Sequence, residues 1–283
     1  MSRYRTVWRK GVNAFMLGLT GACMLLTVSI LFFILGYLVW HGGKDVTWNF
    51  FTKLPAPVGE TGGGMANAIV GTAKLLLLAM VFGVPVGVMT GIYLSEFGGK
   101  TFGFLVRYTT DLLNGVPSIA IGIFAYAVVV LPMRHFSTLA GGFALGVMTI
   151  PITVRSTEEF LRAVPTHLRE GALALGASKW KAIVTVVLPA ASAGIITGVM
   201  LALARVAGET APLLFTAFGN QYWSDGWSQP IASLPMMIYT YAISAYESWH
   251  EQAWAAALVL LALVFVVNVA TRLILSRRIS VSR

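Results

Sequence analysis

Charged residues are scarce in this chain of 283 residues: Asp, Glu, Lys and Arg make up 11%, against about 25% in an ordinary soluble domain. Hydrophobic residues make up 57%, which is more than a water-soluble protein of this size could bury. These proportions exclude an ordinary soluble enzyme or binding domain and indicate that lipid surrounds much of the chain. The net charge of +9 is spread over short segments between apolar runs, which argues against a nucleic-acid partner.

Cysteine is nearly absent. The one cysteine, Cys23, lies in an apolar run, which excludes a disulfide within the chain and a zinc site built on cysteines. The four histidines are scattered without metal-ligand spacing, and no pairing of a nucleophile with a base is visible. The phosphate-binding pattern G-x-x-x-x-G-K-[ST] is missing too. We therefore expect no catalytic residue, no metal site and no cofactor bound by this chain.

Long apolar segments are what the chain does have. A membrane-crossing helix needs about 20 mostly apolar residues, and six segments are candidates. They are Val12–Trp40, Ala66–Leu94, Leu105–Leu131, Leu139–Val154, Ile183–Ala207 and Ala253–Leu275. The fourth is short and is expected to recruit neighbours at both ends. The first is uncharged for too long to suit a cleaved signal peptide and is interpreted as a retained span. The expected fold is thus an all-α integral membrane protein with a transmembrane domain at 12–275, between tails at 1–11 and 276–283.

The positive charges fix the orientation of these spans. With the N-terminus inside, 15 of the 20 Lys and Arg residues fall in cytoplasmic segments. Only three, Lys44, Lys53 and Arg134, fall outside. Because cytoplasmic loops carry the excess of positive charge, both tails are predicted to lie in the cytoplasm. The long outer connection at 208–252 is expected to hold short helices or a re-entrant segment.

The cytoplasmic loop at 155–181 carries the most specific motif. Residues 170–189 read EGALALGASKWKAIVTVVLP. They resemble the coupling signature of bacterial ABC importer permeases, with matches at Glu170, Ala172, Gly176, Leu188 and Pro189. Gly171 and Val186 depart from it, where Ala and Ile are usual. Leu168, Ala172 and Leu175 share one face by helical steps, and Gly176 is placed to end the helix, so a short docking helix is expected. The alternative interpretation is an ordinary helix resting on the membrane surface.

Three further segments narrow the resemblance to the PstA-type phosphate permeases. They are GGGMANAIVGT at 62–72, DLLNGVPSIAIGIFAY at 111–126 and LALARVAGETAPLLFTA at 201–217. The resemblance implies a permease of MetI-like architecture in the inner membrane of a bacterial cell, which imports phosphate and leaves ATP and Mg to separate chains. The partners it implies are a homologous permease (PstC-type), two ATPase subunits (PstB-type) and a periplasmic phosphate-binding protein (PstS-type). The coupling residues it assigns are Glu170, Gly171, Ala172 and Gly176.

An arginine in the fifth span is the candidate for the substrate path. Arg205 lies 22 residues beyond Ile183, or about 33 Å along a helix, which places it in the outer half of the span. A membrane arginine is costly and usually faces a pore or a partner, and the resemblance assigns this one to transport. Glu209 follows at i+4, where it is expected to pair with Arg205, and it is the second candidate for the substrate path. The alternative is an arginine that extends to the outer interface.

Asp111, Pro117 and Ser118 are secondary candidates for the pathway or for a structural role. Asp111 lies near the inner end of the third span, where we expect it to cap or bind a neighbouring segment. Pro117 and Ser118 follow Gly115 and predict a kink, which membrane helices tolerate because neighbouring groups satisfy the freed backbone.

Other functions remain open on the residues alone. The same machine could carry another oxyanion, sulfate or molybdate. An ion-coupled secondary transporter is a different class, but it should show inverted repeats and intramembrane ion ligands, and neither is found. A membrane-embedded enzyme has no catalytic constellation to support it.

The charge pattern makes the topology testable. In a chain with Cys23 replaced, a cysteine at Ser228 should react with a membrane-impermeant thiol reagent added outside intact cells. A cysteine at Thr166 should react only after the membrane is opened. Labelling of position 166 from outside would contradict the six-span arrangement.

Overall fold

The computed structural model describes residues 3–57, 60 and 62–280, and its architecture is helical throughout that part of the chain. One isolated bridge, between Phe218 and Ile231, is the sole extended pairing within those residues. The helices are α1 (Arg3–Gly42), α2 (Trp48–Thr52), α3 (Ala66–Glu96), α4 (Lys100–Gly115), α5 (Ser118–Met133), α6 (Thr138–Ala163), α7 (Thr166–Ala174), α8 (Lys179–Val206), α9 (Ala211–Leu214), α10 (Leu234–Ala242) and α11 (Glu247–Ser280). The expected all-α class is confirmed.

Five of the described helices, α1, α3, α6, α8 and α11, are long and apolar enough to cross a membrane. The pair α4–α5 supplies a sixth crossing if it is counted as one broken span, since its two halves meet at an angle of 104°. Below, "outer" and "inner" denote the ends that the charge pattern predicts to face the outside and the cytoplasm.

The third span departs most from the sequence prediction. A single helix at Leu105–Leu131 was expected, with a kink at Pro117 and Ser118. The break is there, but it is a sharp turn rather than a mild bend. Val116 is extended (φ −69°, ψ 130°), because a proline ring disfavours helical geometry at the residue before it. Pro117 caps the second half and Ser118 is its first residue.

Three other bounds also differ from those expected. The fourth apolar segment, predicted as Leu139–Val154, belongs to the longer helix α6, which continues to Ala163. The first nine residues of the predicted loop at 155–181 are therefore helical. Likewise α1 begins at Arg3 and α11 continues to Ser280, within the two expected tails, while residues 1, 2 and 281–283 lie outside the described part.

Close packing of α3 against α6 forms the centre of the fold. Glycines recur every four residues on α3, at Gly83, Gly87 and Gly91, and these face α6. A Cβ on Gly87 would lie 2.6 Å from the Cβ of Thr153, and a Cβ on Gly91 would lie 2.6 Å from that of Thr157. Small residues at such an interface let two backbones approach closely, which is how helices associate where lipid removes the hydrophobic drive.

The outer connection is docked on the outer ends of this helix pair. The hydroxyl of Thr72 on α3 accepts a hydrogen bond from the backbone N–H of Leu234 at 2.9 Å. Thr138 on α6 donates its hydroxyl to the carbonyl of Gln229 at 2.9 Å. Lys74 donates its ammonium to the carbonyl of Ser224 at 3.1 Å. The connection contains the short helices α9 and α10, which confirms the expectation of short helices there.

Helix α1 stands apart from the rest of the described chain. Its apolar side chains are exposed from Val7 to Ile34. Contact with α11 is made near its outer end, where the rings of Tyr37 and Trp254 meet edge to face at 5.3 Å. The first span is therefore placed to lie in lipid or against another chain.

The glycine packing can be tested at Gly87. Gly87→Ala should lower the free energy of unfolding by roughly 1–3 kcal/mol, because the new methyl group overpacks the interface with Thr153. Gly21→Ala is the matched control, since a Cβ at that position on α1 meets no atom within 4 Å. It should leave stability unchanged or slightly raise it. Thermal unfolding of both purified variants in detergent measures the difference; equal midpoints would show that the close approach is not needed.

Candidate functional site

The residues that the coupling signature assigns lie on and just after helix α7 (Thr166–Ala174). Glu170, Gly171 and Ala172 are in the helix, and Gly176 follows its end with φ +83°. The N–H of Gly176 bonds the carbonyl of Leu173 at 2.9 Å, and that of Ala177 bonds the carbonyl of Ala172 at 3.1 Å. This pair of bonds is a Schellman motif, in which glycine adopts the left-handed conformation without the strain that a Cβ would add. The sequence expectation of a short helix ended by Gly176 is confirmed.

Helix α7 presents an exposed apolar surface. Leu175 is 91% exposed and Leu173 is 47% exposed. Glu170 and Gly171 are also exposed, and a Cβ at Gly171 or at Gly176 would meet no atom within 4 Å. A leucine held this far out of the fold by a rigid turn is suited to a groove on another protein.

The opposite side of α7 is anchored by Arg169. Its guanidinium donates to the carboxylate of Glu96, the last residue of α3, at 2.9 Å. It also donates to the carbonyls of Leu161 and Val164 at the inner end of α6, each at 2.6 Å. Sequence reasoning counted Arg169 as one positive charge of the loop and missed this role. Nothing in the sequence links positions 96 and 169, which are 73 residues apart.

A second ionic cluster lies at the inner end of α6. Glu158 is 3% exposed and accepts from Arg107 at 2.6 Å and from Arg162 at 2.7 Å. Arg107 also donates to the carbonyl of Leu94 on α3 at 2.9 Å. A buried carboxylate is tolerated because two guanidinium groups compensate it. The cluster ties α4 to both α3 and α6, and no local motif signalled it.

Asp111 forms an exposed ion pair with Arg155 at 3.6 Å, and Arg155 also contacts Glu159 at 3.1 Å. This joins α4 to α6, as expected of a residue that binds a neighbouring segment. Pro117 and Ser118 lie at the break between α4 and α5. These three candidates thus lie on other elements than Arg205, with Asp111 on α4 and the other two at the turn.

Arg205 lies in the last turn of α8, and its side chain is exposed. The expected salt bridge with Glu209 is not formed among the described residues. The reason is the end of the helix: α8 stops at Val206, and the chain turns at Gly208 before Glu209 can reach the next helical position. Glu209 is half-buried, so the guanidinium of Arg205 is left without an ionic partner within the described chain.

Groups that would hold a metal are not found: within the described residues, no three His, Cys, Asp or Glu side chains come together. The candidate site consists of two parts. One is the protruding helix α7 with its anchor to α3 and α6, and the other is the exposed arginine at the outer end of α8.

The comparison with known proteins gives one family. The model of the binding-protein-dependent transport system inner membrane component matches residues 83–280. The phosphate transport system permease protein PstA of Yersinia pestis is 43% identical over 98% of this chain and 94% of its own length. The PstA of Haemophilus influenzae is 43% identical over 95% of each chain. That of Xylella fastidiosa (strain Temecula1) is 47% identical over 85% of this chain and 84% of its own.

Solved structures share the fold at low identity. A chain of the inward-facing MetNI methionine ABC transporter matches with a TM-score of 0.57 and 20% identity, covering 75% of this chain and 92% of that one. A chain of a bacterial ABC transporter that imports the acidic polysaccharide alginate matches with a TM-score of 0.65 and 14% identity, covering 97% and 99%. The expected ABC importer permease architecture is confirmed.

Proposed function

Since this chain belongs to the family of binding-protein-dependent transport system inner membrane components, and within it to the PstA-type permeases, we propose that it is a permease subunit of an ATP-driven importer of inorganic phosphate. The observation that carries the proposal is the 43% identity to the phosphate permease of Yersinia pestis over 98% of this chain. That match covers both the coupling segment and Arg205.

The proposal assigns ATP hydrolysis to other chains. No G-x-x-x-x-G-K-[ST] sequence occurs in the 283 residues, so ATP and Mg belong on two PstB-type ATPase subunits inside the cell. A PstC-type permease pairs with this chain in the membrane, and a PstS-type protein delivers phosphate from outside. The exposed apolar surface of α7 supports the contact with the ATPase subunits. The long unburied stretch of α1 is compatible with a second permease chain.

Coupling follows from the form of α7. When ATP brings the two ATPase subunits together, the groove that holds Leu175 moves, and α7 moves with it. The exposed face of α7 receives the movement, while its anchored face is bonded to the inner ends of α3 and α6. The path between the two permease chains then alternates between inward and outward access.

Arg205 supplies the electrostatics of the path in this proposal. Its guanidinium is exposed and has no ionic partner within the described residues, so its charge is available to an anion. A guanidinium fits the oxygens of phosphate in a two-pronged geometry. One such group at the path surface holds phosphate weakly, which transport requires because a tightly held ion would not leave.

Sulfate or molybdate import is the nearest alternative substrate assignment, and a single guanidinium does not separate one oxyanion from another. The relatives reported above are phosphate permeases by name, which favours phosphate. Uptake of radiolabelled phosphate competed with an excess of sulfate or molybdate distinguishes the three anions.

Docking can be tested at Gly176. Gly176→Asp should reduce ATPase copurification and phosphate uptake by about tenfold or more, because it places a charge where α7 meets its partner. Gly176→Asn has nearly the same shape without the charge, and asparagine tolerates the left-handed conformation, so it should be milder. Gly171→Ala introduces the residue that is usual at this position of the resembled signature, and it should be neutral. Wild-type uptake and ATPase association in Gly176→Asp would contradict docking through α7.

The substrate path can be tested at Arg205. Arg205→Gln keeps hydrogen bonding but removes the charge, so phosphate uptake into cells should fall by at least about tenfold, the scale of one lost charged hydrogen bond. Arg205→Lys keeps the charge without the two-pronged geometry and should be intermediate.

Assembly with the partner permease serves as the internal check for these Arg205 variants, and it should be retained in both. Lys53→Gln is the matched control, because it removes an exposed outer charge far along the chain from the path. It should transport normally. If Arg205→Gln transports phosphate at the wild-type rate, the arginine only reaches for the interface and takes no part in the path.

A further inference from the structure

Two positive side chains, one on helix α7 and one just after it, converge on one residue of α3. Arg169, the fourth residue of α7, contacts the Glu96 carboxylate at 2.9 Å. Lys179, at the start of α8, donates to the backbone carbonyl of the same Glu96 at 2.6 Å. Its ammonium also lies over the ring of Phe97, 4.4 Å from the centroid. The segment between them, which includes the turn at Gly176, is thus attached to the inner end of α3 on both sides.

Arg169 also caps α6. The carbonyls of Leu161 and Val164 belong to the last turn and the C-cap of that helix, where four carbonyls lack partners within the helix. A cation at this position is favoured by the partial negative charge of the helix C-terminus. One guanidinium therefore bonds three oxygens on two helices, and its side chain is only 21% exposed.

We propose that Arg169 is a positioning residue for transport, which makes the coupling helix α7 move as one body with the α3–α6 pair. This inference rests on the proposed function. Because Gly87 and Gly91 lie against the threonines of α6 at van der Waals limits, α3 and α6 resist being separated. When α7 is displaced, the guanidinium of Arg169 passes the displacement to the inner ends of both helices. Helices α3 and α6 therefore shift together. The residues of the coupling signature do not have this role, since Glu170 and Gly171 are exposed.

The ionic cluster at Glu158 does not duplicate this link. Its partners are Arg107 on α4 and Arg162 on α6, so it bonds α4 to α6 and has no contact with α7. Among the described residues, the side-chain hydrogen bonds that connect α7 itself to other helices are those of Arg169. Loss of this one side chain should then free α7 from the inner ends of α3 and α6, while the bond of Lys179 and the Glu158 cluster stay in place.

The first test separates coupling from assembly, using the complete transporter with its ATPase and permease partners in lipid vesicles. Arg169→Gln should assemble and hydrolyse ATP, but the phosphate moved per ATP should fall by about tenfold. Arg169→Lys keeps the charge and fewer donors, so it should restore part of that ratio. Lys181→Gln removes an exposed charge from the same segment and should match the wild type.

A double-variant comparison checks the partner. Glu96→Gln should lower the same ratio, and Arg169→Gln combined with Glu96→Gln should be no worse than Arg169→Gln alone, because both changes break one contact. Additive losses would show that the two residues act separately. A wild-type ratio in Arg169→Gln, or loss of its ATPase subunits, would overturn the positioning role.

The second test measures the rigid link as a distance. Spin labels at His167 on α7 and Leu77 on α3, both exposed, are placed in a chain with Cys23 replaced. Their distance should be the same without nucleotide and with ATP trapped, and should change between these states in Arg169→Gln. A distance that changes in the labelled chain with Arg169 intact would overturn the rigid link. Failure of the unaltered transporter to take up phosphate would instead reject the proposed function.

Discussion

The outer connection and the inner-end contacts of α4 and α7 all depend on the close approach of α3 and α6. Lipid tails are as apolar as leucine, so burial gives two membrane helices little reason to associate, and short contacts between small residues must supply the attraction. Gly83, Gly87 and Gly91 provide them on α3. The outer connection is then bonded to the outer ends of this pair, and α4 and α7 are bonded to its inner ends. The exposed surface of α7 and the outer connection are therefore attached to the same pair of helices.

The few charged groups at the inner end have two uses. Arg107, Arg162 and Arg169 belong to the positive excess that predicts orientation in the membrane. In the fold, each also contacts a carboxylate, Glu158 or Glu96, which is largely buried. Counting positive charges needed no knowledge of these contacts, because orientation depends on the side of the membrane and not on the partner. The sequence thus shows the effect of these residues on orientation, but it does not show which carboxylates they contact.

What the sequence could predict was local. The length of the apolar segments predicted the crossing helices. Pro117 predicted a break, and Gly176 predicted the end of α7. The salt bridge between Arg205 and Glu209 was predicted by helical spacing and was wrong, because α8 ends between them. The 104° turn after α4 and the contact of Arg169 with Glu96 were not predicted, since both are decided by packing between segments far apart in sequence. The roles of Arg205 and of the coupling residues in transport stay predictions.

The four-residue repeat of glycine on α3 also bears on the register in which α3 packs against α6. Both helices run from outer to inner, and threonines on α6 recur with the same period, at Thr149, Thr153 and Thr157. Sliding one helix along the other by one four-residue repeat, about 6 Å, would bring two of the three glycines to an equivalent threonine and leave the third opposite a leucine, Leu145 or Leu161. The glycine packing therefore distinguishes neighbouring registers at only one of its three positions. The register is further set by polar bonds at the two ends of α3, of Thr72 to the outer connection and of Glu96 to Arg169 on α7.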